Sequence, residues 1–173
     1  VLEGGRAPTK QIAKAPSLKP PLRMASLERT APIAAPPHNA LNTGAVTTMA
    51  DFATAPFPYH GAMPGSDRPY MNVEETGRLG LTNFRGHILW ESGTFSDDRV
   101  LLHIPPGFDP RRPAVMVVFF HGHGADLARD VRDRQKLPEQ ITASGANAVL
   151  VAPQFAFDAA DSSSGKLWEA NGF

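Results

Sequence analysis

The sequence predicts an α/β fold built on a central, mostly parallel sheet. Two short apolar runs, Ala114–Phe120 and Ala148–Pro153, flank an amphipathic segment. A brief run rich in β-branched and aromatic residues is typical of a strand covered on both faces, as in a parallel sheet. A strand, a helix and a second strand within about forty residues favour a right-handed βαβ unit.

The first fifty residues predict an extended arm or linker. Nine prolines fall within residues 1–58, and the apolar residues show no period of 2 or 3.6. Prolines at this density block helix and strand hydrogen bonding, and the apolar content does not offset the entropy of ordering. We therefore divide the chain into a Pro/Ala-rich basic arm, residues 1–50, and a folded part, residues 51–173.

Between the arm and the central strand the sequence predicts a coil followed by a hairpin. Glycines interrupt residues 51–85, which favours a long coil packed on a sheet edge. His87–Glu91 and Arg99–Ile104 have strand composition, and the turn residues between them predict that they pair as an antiparallel hairpin. His103 is interpreted as a satisfied or edge residue of its strand.

The amphipathic segment predicts a helix from about Leu127 to Ser144. Asp126 or Ala125 is expected to cap it, Pro138 to kink it and Gly145 to end it. The face expected to be buried carries Leu127, Val131, Leu137 and Ile141. The mixed-charge residues expected to face water are Arg129, Asp130, Arg132, Asp133 and Arg134.

Composition and charge exclude several classes of function. The arm holds six Lys and Arg against two Asp and Glu, the rest of the chain eleven against fifteen, and the total is zero. The folded part has no basic stripe, so nucleic-acid binding is not predicted. There are no cysteines, which excludes disulfides and thiolate chemistry. No stretch approaches the roughly 18 apolar residues of a membrane span, and cytoplasmic and exported locations both stay open.

The candidate site is His121-Gly122-His123-Gly124, directly after the central strand. Because glycine lacks Cβ, the backbone can turn sharply there and approach a ligand closely. Open α/β sheets bind ligands at the carboxyl ends of their strands. The sequence therefore places a site at this edge of the sheet.

This order of elements resembles the opening half of an α/β-hydrolase, of the esterase D, feruloyl-esterase and polyhydroxyalkanoate-depolymerase type. The resemblance covers about residues 86–173 and is carried by Ile-Pro-Pro-Gly-Phe at 104–108 and His-Gly-His-Gly at 121–124. It implies a partial α/β-hydrolase fold and a serine-type hydrolase of a small carboxylic ester. It also implies that residues 121–124 form the oxyanion loop and that residues 153–169 lie beside the acyl pocket.

On this reading the backbone N–H groups of Gly122 and His123 are the oxyanion donors, and Gly124 completes the loop. A donor already fixed by folding lowers the barrier of acyl transfer by about 3–4 kcal/mol. His121 is expected to hold the loop's shape and, with Gln154, Phe155 and Trp168, to line the substrate site. Phe155, Phe157, Trp168 and Phe173 either wall an apolar acyl pocket or belong to the core.

The nucleophile of such a site is missing from the sequence. It would lie on a strand-to-helix elbow reading G-x-S-x-G. The nearest match, residues 161–165, reads Asp-Ser-Ser-Ser-Gly, follows no apolar run and is interpreted as a loop. We therefore expect the catalytic Ser, Asp and His outside this chain, which would be an amino-terminal piece or have its sheet completed elsewhere. Such a sheet would present an unpaired edge and a bare apolar face.

Two other functions stay open. One is a non-catalytic binding or assembly module, whose partner is the remaining part of the same protein as a separate chain. The other is a metal-dependent hydrolase using His121 and His123, because the motif is similar to the zinc pattern H-x-H-x-D-H. Asp126 falls one position late for that pattern, and Leu127 replaces its last His. We predict no cofactor, and a small-molecule ester as the ligand.

Overall fold

A computed structural model describes residues 44–170, which form one sheet of four strands and one of three. In chain order the elements are β1 (Val46–Asp51), β2 (Val73–Glu75), β3 (Arg78–Thr82), β4 (Ile88–Trp90), α1 (Glu91–Thr94), β5 (Arg99–Ile104), β6 (Val115–Val118), a π-helix (Leu127–Arg134), α2 (Leu137–Ala143), β7 (Ala148–Pro153) and a 3₁₀ turn (Gly165–Trp168). None of the helices in this range has the length and apolar character needed to cross a bilayer.

The larger sheet is mixed, with the strand order β1-β5-β7-β6. β6 and β7 are parallel neighbours, with Val115 opposite Ala148, which confirms the pairing expected for a βαβ unit. β5 runs antiparallel to both β1 and β7. The prediction of a mostly parallel sheet is therefore wrong, because β1 and β5 add two antiparallel pairings.

β1 lies partly within the stretch that was assigned to the arm. Its sequence, Val-Thr-Thr-Met-Ala-Asp, contains neither proline nor glycine, and Met49 packs against the core of the larger sheet. The folded part therefore begins by Val46 rather than at residue 51. Residues 1–43 of the predicted arm lie outside the described range.

The predicted hairpin of β4 with β5 is wrong. β4 instead pairs with β3, and β3 with β2, in an antiparallel three-stranded sheet that occupies part of the predicted coil. Gly80 is one of the glycines expected to interrupt residues 51–85, but it lies inside β3. A Cβ at Gly80 would lie 2.9 Å from Ile88 Cγ2 and 3.0 Å from Trp90 Cε3, so the position is small because side chains of β4 cover it.

β6 is the edge strand of the larger sheet in the described range, and only one of its faces is covered. Val117 and Phe119 pack against the core, whereas Met116, Val118 and Phe120 are 65%, 41% and 57% exposed. The prediction of a strand covered on both faces is therefore wrong. The strand was recognised correctly, but its apolar composition did not reveal its place at the edge.

The segment between β6 and β7 covers the inner face of the sheet with two short helices. Leu127 and Val131 of the π-helix are buried against the sheet, and Leu137 and Ile141 of α2 are partly buried there, which confirms the predicted apolar face. The single helix expected here is broken before Pro138. Lys136 has φ +53°, and Pro138 takes a place in the first turn of α2, where its missing N–H costs nothing.

His103 lies on β5, between β1 and β7, and is 3% exposed. Its Nδ1 lies 2.8 Å from Thr47 Oγ1 and its Nε2 2.9 Å from Thr142 Oγ1, so the expectation of a satisfied strand residue is confirmed. Burial lowers the pKa of His103 below its ordinary value, because a charged ring would lose hydration, while the charge of Glu139 acts in the opposite direction.

Candidate functional site

Residues 121–126, which we call the glycine loop, leave the sheet at the carboxyl end of β6. Phe119 N–H donates to Val151 O at 2.9 Å and extends the parallel ladder to the start of the loop. The segment after β7, residues 154–162, runs beside the loop and supplies several of its hydrogen-bond partners. The motif thus lies where the sequence placed it.

The ring of His121 fixes the glycine loop against the segment after β7. The ring is 9% exposed and packs edge-on against Phe155, with the ring centroids 5.5 Å apart. Its Nε2 accepts the Phe155 N–H at 2.9 Å, which leaves the proton on Nδ1 to be donated to Gly122 O at 3.0 Å. With both nitrogens engaged, the ring fixes the loop rather than presenting a free nitrogen to a ligand.

Gln154 joins the loop to the end of β7 and is fully buried. Its Oε1 accepts the Leu127 N–H at 3.0 Å, at the start of the π-helix. Its Nε2 lies 2.9 Å from His121 Nε2, 3.2 Å from Phe155 O and 3.4 Å from Ala125 O. One carboxamide therefore links the first residue of the loop, its end and the following helix.

Gly124 sets the turn, with φ +65°. Its N–H donates to Ala159 O at 2.9 Å, so this group is not free to bind an oxyanion. Its carbonyl accepts a hydrogen bond from Arg129 Nη2 at 2.6 Å. Both backbone groups of Gly124 are thus occupied, which fixes the peptides on either side of it.

Arg129 and Asp130 form the outer support of the loop, which the sequence did not reveal. Asp130 is 5% exposed, so the prediction that it faces water is wrong. Arg129 Nη2 bonds to Asp130 Oδ2 at 2.8 Å and to Asp158 Oδ1 at 3.1 Å. The hydrogen bond from Arg129 holds the pKa of Asp130 below its usual range, and the same bond raises the pKa of Arg129. The only feature of the sequence that could have indicated this support is the adjacent pair Arg129 and Asp130 in the first turn of the helix.

Asp126 ends the loop by capping the π-helix. Its carboxylate accepts the Arg129 N–H at 2.7 Å, which confirms the predicted cap. Val131 N–H reaches back to Asp126 O, five residues earlier, at 3.3 Å. Short stretches of π-helix occur frequently at functional sites.

Gly122 and His123 carry the unused donors of the loop. Within residues 44–170, neither of their backbone N–H groups donates a hydrogen bond, and both residues are exposed. The His123 ring turns toward the segment after β7, where its Nε2 lies 2.7 Å from Ser162 Oγ. The two N–H groups predicted to be oxyanion donors are therefore open to a ligand.

The predicted aromatic wall divides into three parts. Phe155 packs against Phe120 beside the loop, with centroids 5.4 Å apart. Trp168 packs edge-on against Tyr59 and Tyr70 in the aromatic core of the smaller sheet. Phe157 lines a cavity of about 420 Å³, together with Phe84, Arg85, His87, Asp158 and Ala160. Phe173 lies outside the described residues.

The two imidazoles of the motif do not share a ligand position. His121 is turned inward to Phe155, and His123 is turned to Ser162. In the described part of the chain, no three His, Asp or Glu side chains are grouped so that they could hold a metal ion.

Taken together, the loop offers a fixed turn with two free backbone donors, bordered by an exposed imidazole and a hydroxyl. Such a group of donors can bind a carbonyl oxygen or a small anion. No family model, curated protein or solved structure matches this chain.

Proposed function

We propose that this chain belongs to a serine-type acyl hydrolase for small carboxylic esters, with the glycine loop as its oxyanion cradle. The observation that carries the proposal is that the N–H groups of Gly122 and His123 stay unpaired within residues 44–170, on a turn in which the Gly124 N–H and the Gly122 and Gly124 carbonyls are paired. The resemblance of residues 86–173 to α/β-hydrolases of the esterase D type adds to it.

Preorganisation is what makes such donors effective. Oxyanion donors accelerate acyl transfer because they need no reorientation as charge develops. Around Gly122 and His123, the loop is held by the ring of His121, by Gln154 directly after β7 and by Arg129 in the π-helix. The cost of orienting the donors is therefore met during folding, and each contributes about 3–4 kcal/mol to the transition state.

The glycine loop supplies neither a serine on a strand-to-helix turn nor a carboxylate that is hydrogen-bonded to a histidine. The sequence contains no G-x-S-x-G. In the family pattern the serine lies on a strand-to-helix elbow, with the aspartate and the histidine further along the chain, and we expect all three in polypeptide outside these 173 residues. A further oxyanion donor would come from the residue after that serine.

The test compares two glycine variants in the full natural polypeptide that contains these residues. Gly124 and Gly145 have nearly equal φ values, +65° and +63°, and a Cβ at either would meet open space. Alanine at either position costs about 1–2 kcal/mol of stability, because a side chain disfavours positive φ. We expect Gly124→Ala to lower kcat for p-nitrophenyl acetate by about 10²-fold, as loss of a donor does, and Gly145→Ala to leave it unchanged.

Equal activities of the two variants would contradict the cradle, since their backbone strain is the same and only their positions differ. Absence of esterase activity in the full polypeptide, toward acetate and butyrate esters alike, would contradict the whole proposal. Thermal unfolding of both variants provides the control, because it separates a loss of fold from a loss of donor geometry.

A second candidate function is an assembly module, favoured by the exposed edge of β6. Val115, Met116, Val118 and Phe120 present apolar side chains next to backbone groups that no described strand pairs. Such an edge is a template for another strand. On this view the partner is the remaining part of the same protein, supplied as a separate chain.

A further inference from the structure

We propose that Ser162 is itself an acyl acceptor, with His123 as its general base. The inference rests on the proposed function, because it uses the same cradle, and it adds a hydroxyl within this chain. The pair is the one place in the described residues where a serine hydroxyl and an exposed imidazole nitrogen lie within hydrogen-bond distance, 2.7 Å, beside free backbone donors.

The position of Ser162 is set by the segment around it. Asp161 Oδ1 accepts the Ser163 N–H at 2.8 Å and closes a turn at the serine. Three residues after Ser162, Gly165 lies so close to Pro56 that a Cβ there would be 2.1 Å from the Pro56 carbonyl oxygen. Lys166 N–H then donates to that oxygen at 2.9 Å. The hydroxyl is thus presented from a segment that is anchored downstream.

The position of His123 is set from the other side. Gly124 N–H bonds to Ala159 O at 2.9 Å, so the loop and the segment after β7 are joined at two neighbouring points, Gly124–Ala159 and His123–Ser162. Nucleophile and base within hydrogen-bond reach are the structural signature of an activated serine. The base and the free N–H groups belong to the same short loop, which brings hydroxyl, base and donors together.

The chemistry balances without any further reagent. Ser162 Oγ attacks the carbonyl carbon of an activated ester while its proton passes to His123 Nε2, and the carbonyl oxygen takes the negative charge beside the N–H groups of Gly122 and His123. The bond to the leaving alcohol then breaks, the proton on His123 passes to that alcohol, and an ester on Ser162 remains. Water, deprotonated by His123, hydrolyses this ester and restores both residues.

The pair lacks the third group of a triad, and this sets the expected rate. Within residues 44–170, Nδ1 of His123 has no hydrogen-bond partner. Disabling the orienting carboxylate of a Ser-His-Asp triad lowers kcat by about 10⁴-fold. We therefore expect slow acylation of Ser162 rather than rapid turnover, which makes the covalent product the quantity to measure.

The experiment incubates the 173-residue chain with p-nitrophenyl acetate and locates the acetyl group by peptide mass spectrometry. We expect acetyl on Ser162 in the wild type and in Ser164→Ala, a control that removes a neighbouring hydroxyl without an imidazole partner. We expect none at this site in Ser162→Ala. His123→Gln keeps a polar side chain but removes the base, and should slow acetylation of Ser162 by about 10²-fold.

Acetyl found on His123 or scattered over lysines, with Ser162 unmodified, would overturn the inference, as would unchanged labelling of Ser162 in His123→Gln. The circular dichroism spectra of the variants must match that of the wild type. Failure here leaves the cradle testable on its own, since the Gly124→Ala and Gly145→Ala comparison does not depend on Ser162. If Ser162 is not acetylated but Gly124→Ala still lowers kcat, only the role of Ser162 is refuted; if neither effect is found, the proposed function is refuted as well.

Discussion

Replacing Gln154 by methionine tests whether one buried carboxamide holds the glycine loop in place. Methionine has about the same length but can neither accept nor donate these bonds. The Leu127 N–H would then lose its acceptor inside the protein, while His121 Nε2 would keep the Phe155 N–H as its donor. A buried donor left unpaired costs about 1–3 kcal/mol. We therefore expect Gln154→Met to lower the free energy of unfolding by about that amount.

The measurement is chemical denaturation, with Gln140→Met as the matched control. Gln140 lies exposed on α2, where its Nε2 donates to Gln135 O at 2.6 Å and water can replace the bond, so the same exchange there should cost less than about 1 kcal/mol. The slope of the unfolding curve should stay constant, so that the midpoint reports stability alone. Hydrogen exchange at the Leu127 amide should also quicken in Gln154→Met. A midpoint for Gln154→Met no lower than that of Gln140→Met would refute the assigned role.

Two further outcomes follow from the fold. Burial lowers the pKa of His103, so between the folded and the unfolded pKa the unfolded chain binds more protons than the folded one. The neutral ring therefore contributes stability above about pH 6.5, and this contribution is lost as the pH falls through the lower pKa of the folded state. We expect His103→Asn to flatten the fall in unfolding free energy between about pH 7 and 5, and an unchanged slope would contradict this. At the edge of β6, Met116→Lys should reduce concentration-dependent association measured by light scattering. Phe84→Lys removes an even more exposed apolar side chain away from that edge, so equal effects of the two changes would argue against strand pairing.

Local patterns predicted the centre of this molecule well. β7 matches its predicted bounds, Ala148–Pro153, because a short apolar run between turn residues has few other structures available. The amphipathic face, the cap at Asp126 and the stop at Gly145 were likewise recognisable, since each depends on residues within one or two helical turns. The position of the glycine motif at the carboxyl end of β6 could be predicted because the apolar strand directly precedes it.

Strand partners and loop supports could not be predicted in the same way. β5 pairs with β1 and β7, more than forty residues away in the chain, and nothing in its own sequence selects them over β4. The charge pattern predicts Asp130 on a solvated face, yet hydrogen bonds from Arg129 and an ion pair with Arg134 allow it to be buried. Charge patterns alone do not distinguish a solvated helix face from a network that braces a neighbouring loop.

The contacts that shape the glycine loop come from a distant part of the chain. Gln154 and Ser162 reach Leu127 and His123 across sequence separations of 27 and 39 residues. During synthesis, residues 121–124 are therefore made well before the residues that fix their conformation. The turn can become ordered only after β7 has paired with β6. A peptide containing His-Gly-His-Gly, or a graft of those four residues into another protein, would have the sequence of the motif but not its conformation.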